Sequence, residues 1–183
     1  RLYALAFSPD GRFLATAGAD DAVRLHALNA GAKPTLTHEW KEVGDSLAFS
    51  PDSRMLVCAG RGVRVWDMAD VSFGELFAET RRGSSGHVCF CGGERFFVHG
   101  GGGLRCWDIT TPNKKGAKPA IKPAKCGWGG TRESKDNKQF PLQTVACTPD
   151  GKTLVASFAV QTIAYDSVHF LFDTKTGKEK NHL

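Results

Sequence analysis

The sequence predicts an all-β fold of repeated sheets, and three observations carry that expectation. Gly62-Val63-Arg64-Val65-Trp66-Asp67 returns as Gly103-Leu104-Arg105-Cys106-Trp107-Asp108, with the Trp-Asp pairs 41 residues apart. Its order of apolar, basic, apolar and aromatic residues follows the side-chain period of a strand, and the Asp stands where a turn must begin. Ala4-Leu5-Ala6-Phe7-Ser8-Pro9-Asp10-Gly11 is echoed at 46–52 and again at 144–151, with Phe7 and Phe49 42 residues apart. Finally, 21 glycines and 8 prolines cluster at regular places, as many short strands joined by tight turns require. Self-similarity every 40 to 45 residues or so marks a blade array. The expected architecture is a β-propeller segment of about four blades.

The first unit, 4–40, opens on that alternating run. In Ser-Pro-Asp-Gly the Pro presets the first turn dihedral, Asp bonds the backbone and Gly accepts the dihedrals that close the turn. Phe13 to Gly18 is the return strand and Asp20-Asp21 the next turn. Val23-Arg24-Leu25-His26-Ala27 is a degenerate copy of the Trp-Asp block. Pro34 to Trp40 reads as an outer strand, where one free edge tolerates Pro. The second unit, 46–82, repeats this with strands at Ser46–Phe49, Met55–Gly60, Val63–Asp67 and Glu75–Glu79. In the third, 88–109, Val88 to Cys91, Arg95 to Val98 and Leu104 to Asp108 are strands. Gly100 to Gly103 is a hairpin turn there; a phosphate loop would need a following helix and a Lys-Ser/Thr pair. The fourth, 144–178, holds Thr144 to Cys147, Thr153 to Ser157 and Phe170 to Asp173, with a lengthened hairpin at 160–167. Nothing after Gly177 reads as a final outer strand.

Between Thr111 and Gln143 the period breaks. Eight Lys/Arg against two acids give this insertion a net +6, while the whole chain is +5. Low hydrophobicity with high charge predicts a mobile surface loop over much of it.

At 183 residues, 41% hydrophobic and 23% charged, the chain has the balance of a soluble globular domain with a real core. No apolar run approaches the ~20 residues that cross a bilayer, so no membrane span is expected. Opening on Arg1-Leu2-Tyr3 without Met, it is expected to be cut from a longer protein, and a missing signal peptide then carries little weight. Five of the six cysteines lie inside strand patterns: Cys89 at the slot of Ala6 and Ala48, Cys91 at that of Ser8 and Ser50, Cys147 at that of Phe7 and Phe49. They are expected to be buried free thiols acting as small hydrophobes, which favours a reducing compartment and a cytoplasmic location. Cys89-x-Cys91 has no second Cys or His pair at zinc spacing, so no metal is expected.

These blocks resemble the WD40 repeat family over about residues 4–29, 46–68, 88–109 and 144–177. The shared pattern is an inner strand ending in Ser-Pro-Asp-Gly, a second ending in small residues and a third ending in Trp-Asp. The resemblance implies blades of four antiparallel strands around a channel, with Trp66, Trp107 and Phe172, followed by Asp67, Asp108 and Asp173, as the repeat signature. Family members usually close with seven or so blades, so the expected ring is incomplete and needs further blades or another chain. One departure matters. The family's Gly-His pair lies about nine residues before the inner-strand aromatic, yet Gly86-His87 is three before Phe90. The buried Asp-His-Ser/Thr-Trp network of regular members is therefore expected to be missing.

Catalysis needs convergent acids, bases or nucleophiles. His26, His38, His87, His99, His169 and His182 are scattered, and the Asp residues sit at turns, so no catalytic residue and no cofactor is expected. The resemblance implies a non-enzymatic scaffold that binds a protein or peptide partner through blade loops. Candidates are Trp40, Asp45, Arg61, Arg81, Arg82 and Trp128, in loops between outer and inner strands and between second and third strands. The alternative is a nucleic-acid or ribonucleoprotein module using insertion 111–143 for phosphate contacts, with Trp128 stacking a base.

Overall fold

Strands alone make up the regular structure of the described residues, and each packs into a sheet of chain neighbours. The computed structural model describes residues 1–29, 31–41, 44–79, 86–93, 95–100, 103–110, 120–124, 131–133, 139–159 and 167–182. Four antiparallel sheets follow one another along the chain. Sheet 1 holds β1 (Leu2–Phe7), β2 (Phe13–Gly18), β3 (Ala22–Ala27) and β4 (Thr35–Lys41). Sheet 2 holds β5 (Gly44–Phe49), β6 (Met55–Gly60), β7 (Gly62–Asp67) and β8 (Asp70–Glu79). Sheet 3 holds β9 (His87–Cys91), β10 (Arg95–Gly100), β11 (Gly103–Thr110) and β12 (Ala120–Ala124). Sheet 4 has five strands: β13 (Thr131–Glu133), β14 (Gln139–Cys147), β15 (Thr153–Ala159), β16 (Ser167–Asp173) and β17 (Glu179–His182). They divide into two compact units, Arg1–Val88 and Cys89–Leu183.

Two expectations are corrected here. Within insertion 111–143, β12 pairs with β11 from Thr110↔Ala120 to Cys106↔Ala124 and β13 pairs with the start of β14, while most of the segment expected as a loop lies outside the described residues. Backbone ladders are indifferent to the Lys-rich composition that suggested a loop, and Pro123 is tolerated because β12 is an edge strand. A last outer strand does follow Gly177, since β17 pairs with β16 through Phe170↔His182 and Leu171↔Asn181. Its Glu-Lys-Asn-His sequence conceals it. The cysteines are also not all free, for Cys91 and Cys147 form a disulfide, with Cα atoms 5.3 Å apart.

In the first unit, one face of sheet 1 meets one face of sheet 2. Register places Ala15 beside Leu25 and Ala17 beside Val23, and these four are buried together with Leu47, Phe49, Leu56, Cys58 and Trp66. Small side chains on β2 leave room for the Phe49 and Trp66 rings. Trp66 is 1% exposed, and its indole lies 4.8 Å from that of Trp40, which stacks in turn on His38 at 5.7 Å.

The second unit buries Phe97, Leu104 and Cys106 of sheet 3 with Leu142, Val145, Leu154, Ala156, Phe158 and Phe172 of sheet 4. Phe170 closes this cluster, edge-on to Phe158 and tilted on Phe172. Trp107 is buried too, stacked at 5.2 Å on Phe96 of the same sheet. The disulfide joins β9 to β14 across the two sheets, because the slots of Ser8 and Phe7 both hold Cys there. This bond removes the sequence argument for a reducing compartment. Burial pushes the neighbouring Cys89 thiol up to about 12, so it stays protonated and unreactive at neutral pH.

Two stability outcomes arise from this packing. Trp66→Ala should cost about 3–5 kcal/mol in denaturant unfolding, as removal of a fully buried aromatic does; unchanged stability would contradict its placement. Peptide mapping without reductant should recover Cys91 linked to Cys147, and its reduction should cost about 2–4 kcal/mol. Recovery of both as free thiols would contradict the pairing.

Candidate protein-binding loops

Each sheet has two sets of turns, one at either end. At the end where first strands become second strands, a short hydroxyl–carboxylate pair holds the chain. Ser8 Oγ donates to Asp10 Oδ1 at 2.6 Å and accepts from the Phe13 amide at 2.9 Å, while Asp10 Oδ1 accepts from the Arg12 amide at 3.0 Å. Ser50–Asp52 and Thr148–Asp150 repeat this arrangement, each with a 2.6 Å hydroxyl–carboxylate bond. The residue after each Asp is left-handed: Gly11 at φ 73°, Ser53 at 59° and Gly151 at 70°. Ser53 is strained there because a side chain disfavours this region, and its Oγ accepts from the Asp10 amide at 3.0 Å, tying the turn of sheet 2 to that of sheet 1. In the second unit the tie is close backbone contact. A Cβ on Gly151 would lie 2.8 Å from the Gly92 nitrogen, so only glycine fits.

The signature Asp residues work at the same end. Asp67 accepts from the Ala69 amide at 2.9 Å. Asp108 receives a fork from Arg95, whose Nη1 also donates to the Thr174 carbonyl and so links sheets 3 and 4. Asp173 accepts from the amides of Lys175 and Thr176 and from the Thr176 hydroxyl. Donors of this kind stabilise the ionised carboxylate. The Ser8 hydroxyl, chiefly, holds Asp10 down at about 2, and the Thr176 amide does the same for Asp173.

The opposite end carries the candidate contact residues. Arg61 is exposed at the bend between β6 and β7. Asp45 lies in β5 and not in a loop, half-buried, as the extra residue of a bulge between Gly44 and Ser46. The same irregularity recurs at Tyr3 and Gln143 in the first-strand positions of sheets 1 and 4. A bulge re-aims a side chain and bends the strand. The Gly44↔Gly60 pair brings Asp45 and Arg61 to one end of sheet 2. Gly44 has no room for a side chain: a Cβ there would meet Cys58 Sγ at 2.7 Å and Ala17 Cβ at 3.0 Å. Trp40 lies in β4 and not in a loop, half-buried, with its ring against that of Trp66. Arg81, Arg82 and Trp128 lie outside the described residues.

Among the described residues no group of three or more His, Cys, Asp or Glu is placed to hold a metal. Ser167 Oγ lies 3.2 Å from His169 Nε2, but the pair is exposed on the surface of β16.

A family model described as WD domain, G-beta repeat matches residues 1–26 and 35–67. These stretches of the chain match WD40 repeats. No curated protein sequence matches it. Among solved structures it is similar to the Myceliophteria thermophila Cps50 (Swd1) beta-propeller domain, at 17% identity and a TM-score of 0.68. The match covers 98% of this chain and 54% of that one, so the chain spans about half the length of its structural relative. At this identity the likeness shows the fold alone, a β-propeller. Trp66 Nε1 and His38 Nδ1 are buried without a hydrogen-bond partner among the described residues.

The depressed carboxylates set an acid limit. Their folded pKa lies below the ordinary 3.8, so their stabilisation is complete above that value and is lost as pH falls toward 2. Carboxyl-carbon NMR titration should place Asp10 and Asp173 midpoints near 2. Midpoints near 3.8 would contradict the turn geometry.

Proposed function

We propose that this WD40 chain is a non-enzymatic scaffold that presents the Asp45–Arg61 end of its sheets to a protein or peptide partner. The observation that carries this reading is the contrast between the two ends. One end spends its polar groups on its own turns, through Ser8–Asp10, Ser50–Asp52 and Thr148–Asp150. The other offers an exposed Arg61 beside a recurring bulge, on a backbone held by the Gly44 contacts. Arg is among the residue types that dominate interface energy, and a rigid platform reduces the entropy lost on binding. WD40 propellers generally bind proteins, which supports the same assignment.

The second reading, nucleic-acid contact through 111–143, rests on the +6 charge of that segment. Photo-crosslinking separates the two. A crosslinker at position 61 should give protein adducts in native extract that persist at high salt, whereas one at exposed position 12 should not. Adducts at 61 no more frequent than at 12 would overturn the scaffold reading. RNA binding that falls steeply with salt and vanishes on deleting 114–138 would replace it.

A further inference from the structure

In three of the four sheets a hydroxyl–carboxylate pair closes the first hairpin: Ser8–Asp10, Ser50–Asp52 and Thr148–Asp150. Sheet 3 has no such pair to make. Cys91 stands in the serine slot and Gly93 in the aspartate slot, so this turn carries neither group. What holds the strand end is the bond from Cys91 to Cys147 of β14, beside the Gly92–Gly151 approach. In the first unit the corresponding tie, from the Asp10 amide to Ser53 Oγ, is a hydrogen bond and indifferent to redox conditions. In the second it is a covalent bond that two electrons can open.

The two sulfur-bearing residues do not stand alike toward solvent. Cys91 is 5% exposed and belongs to the buried cluster with Phe97, Val145 and Leu154. Cys147 is half-buried at the rim of that cluster, on the same face of β14 as Val145 and beside the exposed Pro149-Asp150 turn. Thiol–disulfide exchange proceeds by attack on one sulfur, and access helps decide which one. An incoming thiolate therefore reaches Cys147 and displaces Cys91. Cys89 also packs on this cluster, but burial holds its thiol protonated, so it does not compete as the attacking group.

We propose that Cys147 is a modification site, the sulfur at which a small thiol opens this bond, and that the bond is a redox-operated fastener for the first hairpin of sheet 3. The chemistry balances as two exchanges. A glutathione thiolate attacks Cys147 Sγ, the S–S bond breaks, and Cys91 leaves as a thiolate that takes a proton from water. Cys147 then carries glutathione as a mixed disulfide. A second glutathione thiolate attacks the glutathione sulfur and releases Cys147, which is protonated, together with oxidised glutathione. Two electrons have passed from the small thiols to the protein.

The 183-residue chain, purified without reductant, tests this with glutathione as the probe. After brief exposure, acid quench and peptide mapping, the adduct should sit on Cys147, with Cys91 recovered as a thiol. An adduct on Cys91, or one shared equally between the two, overturns the assignment. Complete reduction should make the amides of β9 and of residues 145–147 exchange about tenfold faster or more, with those of β2 unchanged. Equal rates in the two redox states overturn the fastener. The Cys91→Ser variant should take up glutathione at Cys147 from oxidised glutathione, whereas Cys147→Ser should leave Cys91 unmodified; the reverse pattern overturns the proposal. Should either variant fail to fold, the mapping on the unaltered chain decides alone.

Discussion

Stacking of unlike sheet faces is the constraint on which each unit depends. One face is small or aliphatic, the other carries the large side chains, and neither buries its apolar surface alone. In the first unit, Ala15 and Ala17 admit Phe49 and Trp66. In the second the volumes are exchanged. Phe97 takes the slot of Ala15, while Cys147 and Phe172 take those of Phe49 and Trp66. Cores tolerate such compensated swaps because they answer to total volume and pattern more than to identity. This is how a repeat with weak sequence identity keeps one geometry.

Turn chemistry fixes what packing leaves free. The Ser/Thr–Asp pairs satisfy local backbone donors and hold the first hairpin of three sheets. Where sheet 3 has Cys91-Gly92-Gly93 instead, a disulfide and the Gly92–Gly151 approach tie it to its neighbour. The two ends of the sheets thereby diverge. At one end the polar side chains bond their own turns.

Much of the fold was legible because strand alternation and turn residues are local signals repeated in register. Ser-Pro-Asp-Gly and Trp-Asp each state a strand end through chemistry that needs no distant partner. What escaped notice is nonlocal or set by the backbone. Glu179–His182 and Ala120–Ala124 are edge strands with polar or Pro-containing sequences, and only their pairing makes them strands. The Cys91–Cys147 bond joins slots 56 residues apart that read as unrelated positions in separate repeats. Of the contact candidates, Arg61 sits exposed at a turn, whereas Trp40 is spent on Trp66 and Asp45 on a bulge that no single residue type announces. The extra role of Ser8, Ser50 and Thr148 had a signal in hindsight, a hydroxyl two residues before each turn Asp.

The central claim is that sheets 1 and 2 are held face to face by interdigitated side chains, and the Trp40–Trp66 pair reports it directly. Nuclear Overhauser spectra of the chain should show indole-to-indole cross-peaks between these residues, given ring centroids 4.8 Å apart. A folded chain in which those cross-peaks are absent, with Trp66 ring protons at solvent-like shifts, would contradict the account.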